Sequence, residues 1–395
     1  EGDLQATSYK LPANLVYPFD GLDDIAKKTI RCVGTPAERF KEDYSRMLRA
    51  IRLSCQLDFE IEPATWKAIT QQIKNLNREI DGDRIVPVEV IAKELVKAVV
   101  TYPVWALELL DDSGTIAVLM PELLKMKGCP QPPQFHSEGD VWEHTVLALG
   151  KLSSKEFQRE FNPKLKKIPY KKSLIPNSKL LIHPELIWAT LFHDIGKPYT
   201  LTVTDRIRTN GHDIKGAKVF RTVAERLKLS SAGLNVDVII ELIAKHLLPS
   251  HAKRNEMKET TIEKYFFNDR FPGQLLLQLI FVDISATIPP SGRPDFSSYR
   301  ALRSRITALK QRLKSRQTLP PDLLDGNEIM ALLHIPPGPR IKEVKEFLRE
   351  QQLVGKAKSK AEAKKIVLKK FVPQISSERK SKVQNPNDKS NPKSK

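Results

Sequence analysis

Apolar residues recur every three or four positions along most of this chain, and strict alternation of apolar and polar residues is scarce. In the stretch RMLRAIRLSCQLDF, the residues Met47, Leu48, Ile51 and Cys55 follow that spacing, with the arginines mostly off the stripe. Such spacing is typical of amphipathic helices, whereas strands need a period of two. The pattern therefore predicts a mostly α fold, and it favours a solvated face for these arginines over RNA contact.

Proline-rich stretches and one change of composition divide the chain. QPPQFHSEGD predicts a boundary near residue 130 and TIPPSGRPDF predicts another near residue 290, with a compact helical unit between them. The last stretch, ERKSKVQNPNDKSNPKSK, has no aromatic residue and a single valine as its only aliphatic residue. Too little apolar surface is available there to offset the entropy of ordering, so we predict a disordered basic tail over 378–395.

Composition narrows the class of protein. The chain has 395 residues, which favours two or three domains, and its 65 lysines and arginines against 47 acidic residues give a formal charge of +18. A polyanionic partner is expected, with nucleic acid ahead of a membrane, because no apolar run reaches the roughly 18 residues of a spanning helix. The three cysteines have no CxxC spacing, which favours a reducing, cytoplasmic location.

Four residues carry candidate metal chemistry. LFHDIGKPYT places His193 beside Asp194 after an apolar run, and His144 lies in the core-forming segment DVWEHTVLAL. Asp283 lies on the apolar face of LLLQLIFVDI, where an unpaired carboxylate is costly and needs a cation or a proton. Each residue alone is more simply a structural one. Together, imidazoles and carboxylates on successive helices suit a divalent metal with open positions, which can activate water and polarise a phosphoryl oxygen.

The order H…HD…D resembles the HD superfamily of metal-dependent phosphohydrolases, an all-α fold. The resemblance implies His144, His193, Asp194 and Asp283 as ligands of Mg²⁺, Mn²⁺ or Ni²⁺. His212, in GHDIKGA, and His246, which lies on an apolar stripe, fit the extra positions of HD proteins that hold two metals. Lys197 is a candidate for contact with a substrate phosphate, or an ordinary cation at the end of a helix. The other histidines, His136, His183, His251 and His334, are expected to be structural or exposed.

Longer stretches resemble class II tRNA nucleotidyltransferases, the CCA-adding enzymes and poly(A) polymerases. One runs from YPFDGLDD to EIEPATWKAI, the others are FHSEGDVWEHT with LFHDIGKPYT, and LLDGNEIMALLHIPPGPRIKEVKEFLREQQLVGK. EDYSR matches the EDxxR motif of that family, which implies that Asp43 and Arg46 present hydrogen-bonding edges to the base of CTP or ATP. Without the resemblance, the two would be a helix-start carboxylate and an i,i+3 ion pair. tRNA is the implied partner.

The departures from that family shape the domain prediction. The chain has no GS…DxD arrangement of the kind that holds the magnesium ions of nucleotidyl transfer, and DGD at 81–83 lacks that context. We interpret Glu1 as an interior start and the chain as an N-terminally truncated enzyme without its catalytic head. The expected division is a remnant of the head-to-neck connection over 1–35, a helical neck and body over 36–128, an HD domain over 129–290, a helical C-terminal region over 291–377 and the tail.

The expected function is therefore part of a CCA-adding tRNA nucleotidyltransferase. The body binds tRNA, the HD domain hydrolyses phosphoester ends such as 2′,3′-cyclic phosphates, and nucleotidyl transfer is not expected from this chain alone. Two alternatives stay open, namely a poly(A) polymerase-like fragment and a non-catalytic RNA-binding module with a structural metal.

Overall fold

A computed structural model describes residues 19–162, 182–249, 257–268, 271–313 and 321–383, without side chains for 373–383. The described residues are mostly helical, as the apolar spacing predicts, and they fall into two compact units. Unit 1 combines the chain up to Leu247 with Leu275–Asp295, and unit 2 combines Leu248–Gln274 with Phe296 onward. The predicted boundary at residue 129 lies inside unit 1, and the expected five-part division stays a prediction.

Unit 1 begins with helices that form its first core. They are α1 (Gly21–Ala26), α2 (Pro36–Glu42), α3 (Ser45–Leu57), α4 (Pro63–Gln72), α5 (Val88–Thr101), α6 (Pro103–Asp112), α7 (Thr115–Leu119) and α8 (Pro121–Leu124). The stripe predicted on α3 is buried, with Met47, Leu48, Ile51 and Cys55 at most 1% exposed. Side chains of this kind contribute about 1.5–3 kcal/mol each when removed from water, so α3 is held by its packing against α5 and α6.

The arginines of α3 only partly follow the prediction of a solvated face. Arg49 is exposed. Arg52, by contrast, is bonded through Nε to the Glu94 carboxylate of α5, and both side chains are at least 85% buried. An ion pair this enclosed contributes to the packing of α3 against α5 and leaves little guanidinium surface for RNA.

The later helices of unit 1 carry the histidines. They are α9 (Val141–Lys151), α10 (Lys155–Phe161), α11 (Pro184–Phe192), α12 (Lys197–Thr200), α13 (His212–Arg226), α14 (Val236–Lys245) and, from Leu275 on, α16 (Gly273–Ala286). A capping box starts α9, in which Asp140 accepts from the Glu143 N–H and Glu143 accepts from the Asp140 N–H. Two short 3₁₀ turns, Ile73–Asn77 and Leu229–Ala232, complete the helical elements of unit 1 in the described ranges.

The strands found in the described ranges are short and form three pairs. β1 (Thr29–Ile30) is parallel to β2 (Glu60–Ile61), while β3 (Glu79–Ile80) with β4 (Asp83–Arg84) and β5 (Thr202–Val203) with β6 (Ile207–Arg208) are antiparallel. Asp81 and Gly82 join β3 to β4 with φ of 54° and 87°, the backbone of a tight hairpin turn. The DGD triplet therefore forms a hairpin turn and the first residue of β4.

Unit 2 consists of α15 (Glu259–Phe266), α17 (Ser297–Leu313), α18 (Gly326–Leu333), α19 (Pro339–Leu353) and α20 (Lys360–Val383). Ile329, Val344, Leu348, Val367 and Phe371 form its main core. The α20 backbone runs to Val383, into the stretch predicted as a disordered tail. Residues 384–395 lie outside the described residues, so the tail stays a prediction. No helix in the described ranges is long and apolar enough to cross a membrane.

Candidate metal centre

Six predicted ligands meet inside unit 1, although they lie on five separate parts of the chain. His144 is on α9, His212 begins α13, His246 follows α14 and Asp283 is on α16. His193 and Asp194 come directly after α11, in the turn before α12. All six belong to two groups of potential ligand atoms, His144–His193–Asp283 and Asp194–His212–His246.

The first group surrounds the Asp283 carboxylate. His144 Nε2 lies 3.2 Å and His193 Nε2 lies 3.6 Å from Asp283 Oδ1. The stripe predicted for α16 is also present, since Leu276 and Leu279 are fully buried, while the Asp283 side chain is 20% exposed. A carboxylate thus faces two imidazoles at the edge of the apolar core.

The second group surrounds Asp194 Oδ1, which lies 3.3 Å from His212 Nε2 and 3.8 Å from His246 Nε2. Asp194 also joins the two groups, because its other oxygen, Oδ2, lies 3.2 Å from His193 Nε2 and 3.7 Å from His144 Nε2. One buried carboxylate therefore bridges all four imidazoles.

The four imidazoles are oriented by hydrogen bonds at their outer nitrogens. His144 Nδ1 is bonded to Glu138 Oε1, and Nδ1 of His193, His212 and His246 to the backbone oxygens of Thr190, Thr209 and Ile243, at 2.7–2.8 Å. A carbonyl oxygen can only accept, and an ionised carboxylate likewise, so each Nδ1 carries the proton. Each ring then turns Nε2 toward the cluster, as the ring nitrogens of metal-binding histidines do.

The four inward-facing Nε2 atoms and the two carboxylates favour a bound cation. His212 Nε2 lies 3.3 Å from His246 Nε2, which is unfavourable unless a proton or an ion lies between them. Among the described residues, buried His193 Nε2 and Asp194 Oδ2 have no hydrogen bond of good geometry. Imidazole and carboxylate donors with unsatisfied atoms fit one or two divalent metal ions.

The pKa shifts have the same cause. Burial by itself lowers the pKa of His193, but the carboxylates of Asp194 and Asp283 outweigh it and raise that pKa to about 10. Burial, with the charges of His212 and His193, lowers the pKa of His246 to about 4. Burial raises the pKa of Asp194, yet His193 and Lys197 bring it well below its usual value. The cluster thus keeps its carboxylates ionised and attracts positive charge.

Lys197 lies next to the cluster, and it is not a cation at the C-terminal end of a helix. It is the first residue of α12 and is 9% exposed. Its Nζ lies 2.6 Å from Asp194 Oδ2 and donates to Gln131 Oε1 at 2.7 Å. Gln131 in turn donates to the backbone oxygen of Asp140 at 3.1 Å. The ammonium is therefore fixed at the edge of the site, and its contact with a substrate phosphate stays a prediction.

A cavity of about 250 Å³ opens onto both groups. Asp194, His212, His246 and Asp283 line it from the cluster, and its remaining lining includes Pro130, Gln131, Pro132, His136, Lys197, Thr209 and Thr287. Its size is at the lower end for a ligand pocket, which suits a small group or the end of a chain. The cluster is thus accessible from one side.

Gly196 lies where two segments of the site pack closely. α11 ends at Phe192, before the HD pair, and Gly196 has an ordinary φ of −78°. A Cβ at this position would lie 2.0 Å from the backbone oxygen of His212 and 2.6 Å from Gly216 N. Close approach of α13 is therefore what requires glycine, and this contact brings His212 to Asp194.

Sequence reasoning missed Glu138 and placed His136 outside the site. Glu138 Oε1 is bonded to His144 Nδ1 and, at 2.6 Å, to His136 Nδ1, and His136 lines the cavity. Burial raises the pKa of Glu138, but the two histidine bonds and backbone N–H donors lower it to about 2. The spacing HSEGDVWEH, with an acid between two histidines, is the signal that was available.

The remaining histidines are not part of the cluster in the described residues. His183 is the N-cap residue of α11 and pairs with Glu185, with a side chain that is 56% exposed. His334 ends α18 in a left-handed conformation and is exposed. His251 lies outside the described residues.

Asp43 and Arg46 differ from the residues of the histidine cluster, because residues close to them in sequence supply their hydrogen-bond partners. Asp43 Oδ1 accepts from the Ser45 N–H at 2.9 Å and from the Ser45 hydroxyl at 2.6 Å, as a carboxylate at a helix start does. Arg46 donates to Glu42 Oε2 at 2.8 Å, whereas its Nε is 4.0 Å from Asp43. The expected i,i+3 pair is thus secondary to an i,i+4 pair.

Comparison with known proteins shows which protein families this chain resembles. The HD domain family model matches residues 176–270, which include His193, Asp194, His212 and His246 but neither His144 nor Asp283. The chain is 29% identical to the A-adding tRNA nucleotidyltransferase of Deinococcus radiodurans, over 93% of this chain and 78% of that protein. It therefore contains an HD domain and is similar to a tRNA nucleotidyltransferase over most of its length.

Other relatives agree. The multifunctional CCA protein of Actinobacillus pleuropneumoniae is 31% identical over 67% of this chain, which spans 57% of that protein. The CC-adding tRNA nucleotidyltransferase of Thermus thermophilus is 25% identical over 93% of this chain and 77% of that protein. The solved CCA-adding enzyme of Bacillus stearothermophilus shares the fold at a TM-score of 0.53 and 19% identity, over 92% of this chain and 70% of that one.

These matches correct one prediction. The chain was expected to be an N-terminally truncated enzyme without a catalytic head. The extent of the matches, 78% of the A-adding relative and 70% of the solved CCA-adding enzyme, contradicts that interpretation. The expectation that this chain alone does not transfer nucleotides rests on the missing GS…DxD arrangement, which these matches do not test, so it stays a prediction.

Proposed function

We propose that this protein acts at the 3′ end of tRNA as a member of the tRNA nucleotidyltransferases, with CTP and ATP as substrates. We propose further that its HD domain is a metal-dependent phosphohydrolase for phosphoester ends, of which 2′,3′-cyclic phosphates are one kind. The activities for which the A-adding, CC-adding and multifunctional CCA relatives are named support the first part. The formal charge of +18 favours a polyanionic partner such as tRNA.

One observation carries the phosphohydrolase proposal. Four imidazoles and two carboxylates converge, two of their buried atoms have no hydrogen bond of good geometry in the described residues, and four of the six residues line a cavity of about 250 Å³. A purely structural metal site is closed by its ligands, whereas a catalytic one keeps an open position. The cavity therefore favours a catalytic role over a non-catalytic module with a structural metal.

The residues suggest distinct roles. His144, His193, Asp194 and Asp283 would hold one divalent ion, and His212 and His246, through Asp194, a second. Mg²⁺, Mn²⁺ or Ni²⁺ in these positions would polarise a phosphoryl oxygen and activate water. Lys197, fixed between Asp194 and Gln131 at the cavity wall, would attract and orient the phosphate.

Asp43 and Arg46 are proposed to contact the base of CTP or ATP. A carboxylate accepts from an exocyclic amino group, and a guanidinium donates in a fixed fork. Both side chains keep solvent contact, at 42% and 31% exposure, so a nucleotide can reach them. Their present partners, Ser45 and Glu42, would have to share these groups with the base.

The phosphohydrolase proposal is tested with 2′,3′-cyclic AMP and added Mn²⁺, Ni²⁺ or Mg²⁺. The wild-type protein should hydrolyse it, and Asp194→Ala should lower the rate by about a thousandfold or more, since it removes the group that joins both metal positions. Asp205→Ala is the matched control, because Asp205 is 70% exposed on the β5–β6 hairpin. Equal rates in the wild type and Asp194→Ala would overturn the proposal.

A further inference from the structure

Glu138 makes contacts that no ligand of the cluster makes. Its Oε1 is bonded to two histidines, to His144 Nδ1 at 2.8 Å and to His136 Nδ1 at 2.6 Å. Its Oε2 accepts from the Ile288 N–H at 2.9 Å. The Glu138 side chain is 5% exposed, so these bonds are protected from water. A single carboxylate thus fixes two imidazoles and the backbone that follows α16.

The two histidines differ in position. His144 is fully buried and turns Nε2 toward Asp283 and Asp194. His136 lies edge-on to His144, with ring centroids 5.3 Å apart, and it lines the cavity beside the cluster. With Nδ1 engaged by Glu138, its other ring nitrogen, Nε2, is the one available to a molecule in the cavity.

The backbone contacts extend this arrangement to the helix of Asp283. Ser137 donates its N–H to the backbone oxygen of Ile288 at 2.6 Å, next to the Ile288 bond to Glu138. Ile288 lies five residues after Asp283 and directly beyond the end of α16. The segment 136–138 therefore attaches the loop before α9 to the end of α16, and two proposed ligands depend on it.

We propose that Glu138 is a positioning residue that orients His144 as a metal ligand and His136 as a substrate-contacting residue in the cavity. The inference rests on the proposed phosphohydrolase function and adds two residues to it. In this role Glu138 acts through the two imidazoles, because its Oε1 is bonded to their Nδ1 atoms while Nε2 of His144 faces the cluster. Because partners of metal-ligating histidines typically change metal affinity by about 10–100-fold, its loss should be measurable in metal binding alone.

The first test is Mn²⁺ binding to the full chain by calorimetry. Glu138→Ala should bind Mn²⁺ about 10–100-fold more weakly than wild type. Glu138→Gln keeps an acceptor oxygen of the same reach and should restore most of the affinity. Glu241→Ala, at an exposed position on α14, is the matched control and should change nothing. Equal affinity in Glu138→Ala and Glu241→Ala would overturn the inference.

A double-mutant cycle excludes a general loss of folding as the cause. If Glu138 acts on the metal through His144, Glu138→Ala should have no further effect on Mn²⁺ affinity in a His144→Ala background. Additive effects would overturn the positioning role. Should Glu138→Ala fail to fold, Glu138→Gln in both backgrounds gives the same comparison, with a smaller but non-additive effect expected.

His136 is expected to affect the hydrolysis of 2′,3′-cyclic AMP and to leave Mn²⁺ binding unchanged. His136→Ala should keep the wild-type Mn²⁺ affinity within about twofold, because its hydrogen bond goes to Glu138 and not to a proposed metal ligand. The same variant should raise KM or lower kcat for 2′,3′-cyclic AMP by about tenfold. Unchanged kinetics would remove His136 from the proposal. A wild-type protein that binds none of Mn²⁺, Ni²⁺ and Mg²⁺ would instead overturn the proposed function itself, so the two failures are distinguishable.

Discussion

The metal-ligand cluster and the EDYSR segment differ in how their charged groups are satisfied. In EDYSR, Ser45 and Glu42 supply the partners of Asp43 and Arg46 from within four residues. In the cluster, buried His193 Nε2 lacks a well-formed hydrogen bond in the described part of the chain, whereas Asp194 Oδ2 is paired with Lys197 at 2.6 Å. Because unsatisfied buried polar groups are costly, they indicate a ligand more strongly than exposed charges do.

Removal of the metal should separate the histidine cluster from the EDYSR segment most clearly. Prolonged chelation should abolish hydrolysis of 2′,3′-cyclic AMP and lower the melting temperature, because an ion that binds only the folded state stabilises it. CTP binding should not change, since Asp43 and Arg46 need no ion to keep their geometry. Hydrolysis and CTP binding are both measured on the same chelated sample. Parallel losses of hydrolysis and CTP binding would break the distinction.

Gly196 tests whether the cluster depends on close packing. Gly196→Ala should destabilise the fold by about 1–3 kcal/mol and weaken Mn²⁺ binding, because the new Cβ would collide with the His212 backbone. Gly150→Ala is the control, since the nearest atom to its Cβ is Val104 Cγ2 at 3.9 Å and alanine favours a helix. Thermal unfolding compares the two. Similar stabilities would contradict the packing argument.

Metal binding should become tighter as pH rises. Asp194 and Asp283 outweigh burial and raise the pKa of His193 to about 10, so metal-free His193 holds a proton at neutral pH that an ion must displace. With one proton released, affinity should rise by about tenfold per pH unit below that pKa. Calorimetry in two buffers of different ionisation enthalpy counts the proton. An affinity independent of pH would exclude this exchange.

Asp43 gives the smallest expected effect on stability and separates its two interpretations. Asp43→Ala removes the acceptor at the start of α3 and should cost about 1 kcal/mol of folding free energy. Asp43→Asn keeps an acceptor oxygen there, so stability should stay close to wild type. If Asp43 contacts the nucleotide base, both variants should bind CTP more weakly. Wild-type CTP binding by Asp43→Asn would favour the purely structural role.

Features that depend on local periodicity could be predicted from the amino-acid sequence. The mostly helical fold is confirmed, and so are the buried stripe of α3 and the placement of His246 on the face of Ile239 and Ile243. Residues three or four positions apart share a helix face whatever the rest of the chain does. The order H…HD…D also identified the HD domain, which the family match confirms.

Which groups share the site depends on how distant segments of the chain pack together. Glu138 and Asp283 are 145 positions apart and are connected through His144, a relation that no local period encodes. The requirement for glycine at 196 arises from the approach of α13, and the bridging position of Asp194 arises from four helices meeting around it. Burial and the distances between segments are set by the packing of the whole unit. The candidate ligands could therefore be predicted from the sequence, but their hydrogen-bond partners could be identified only in the structure.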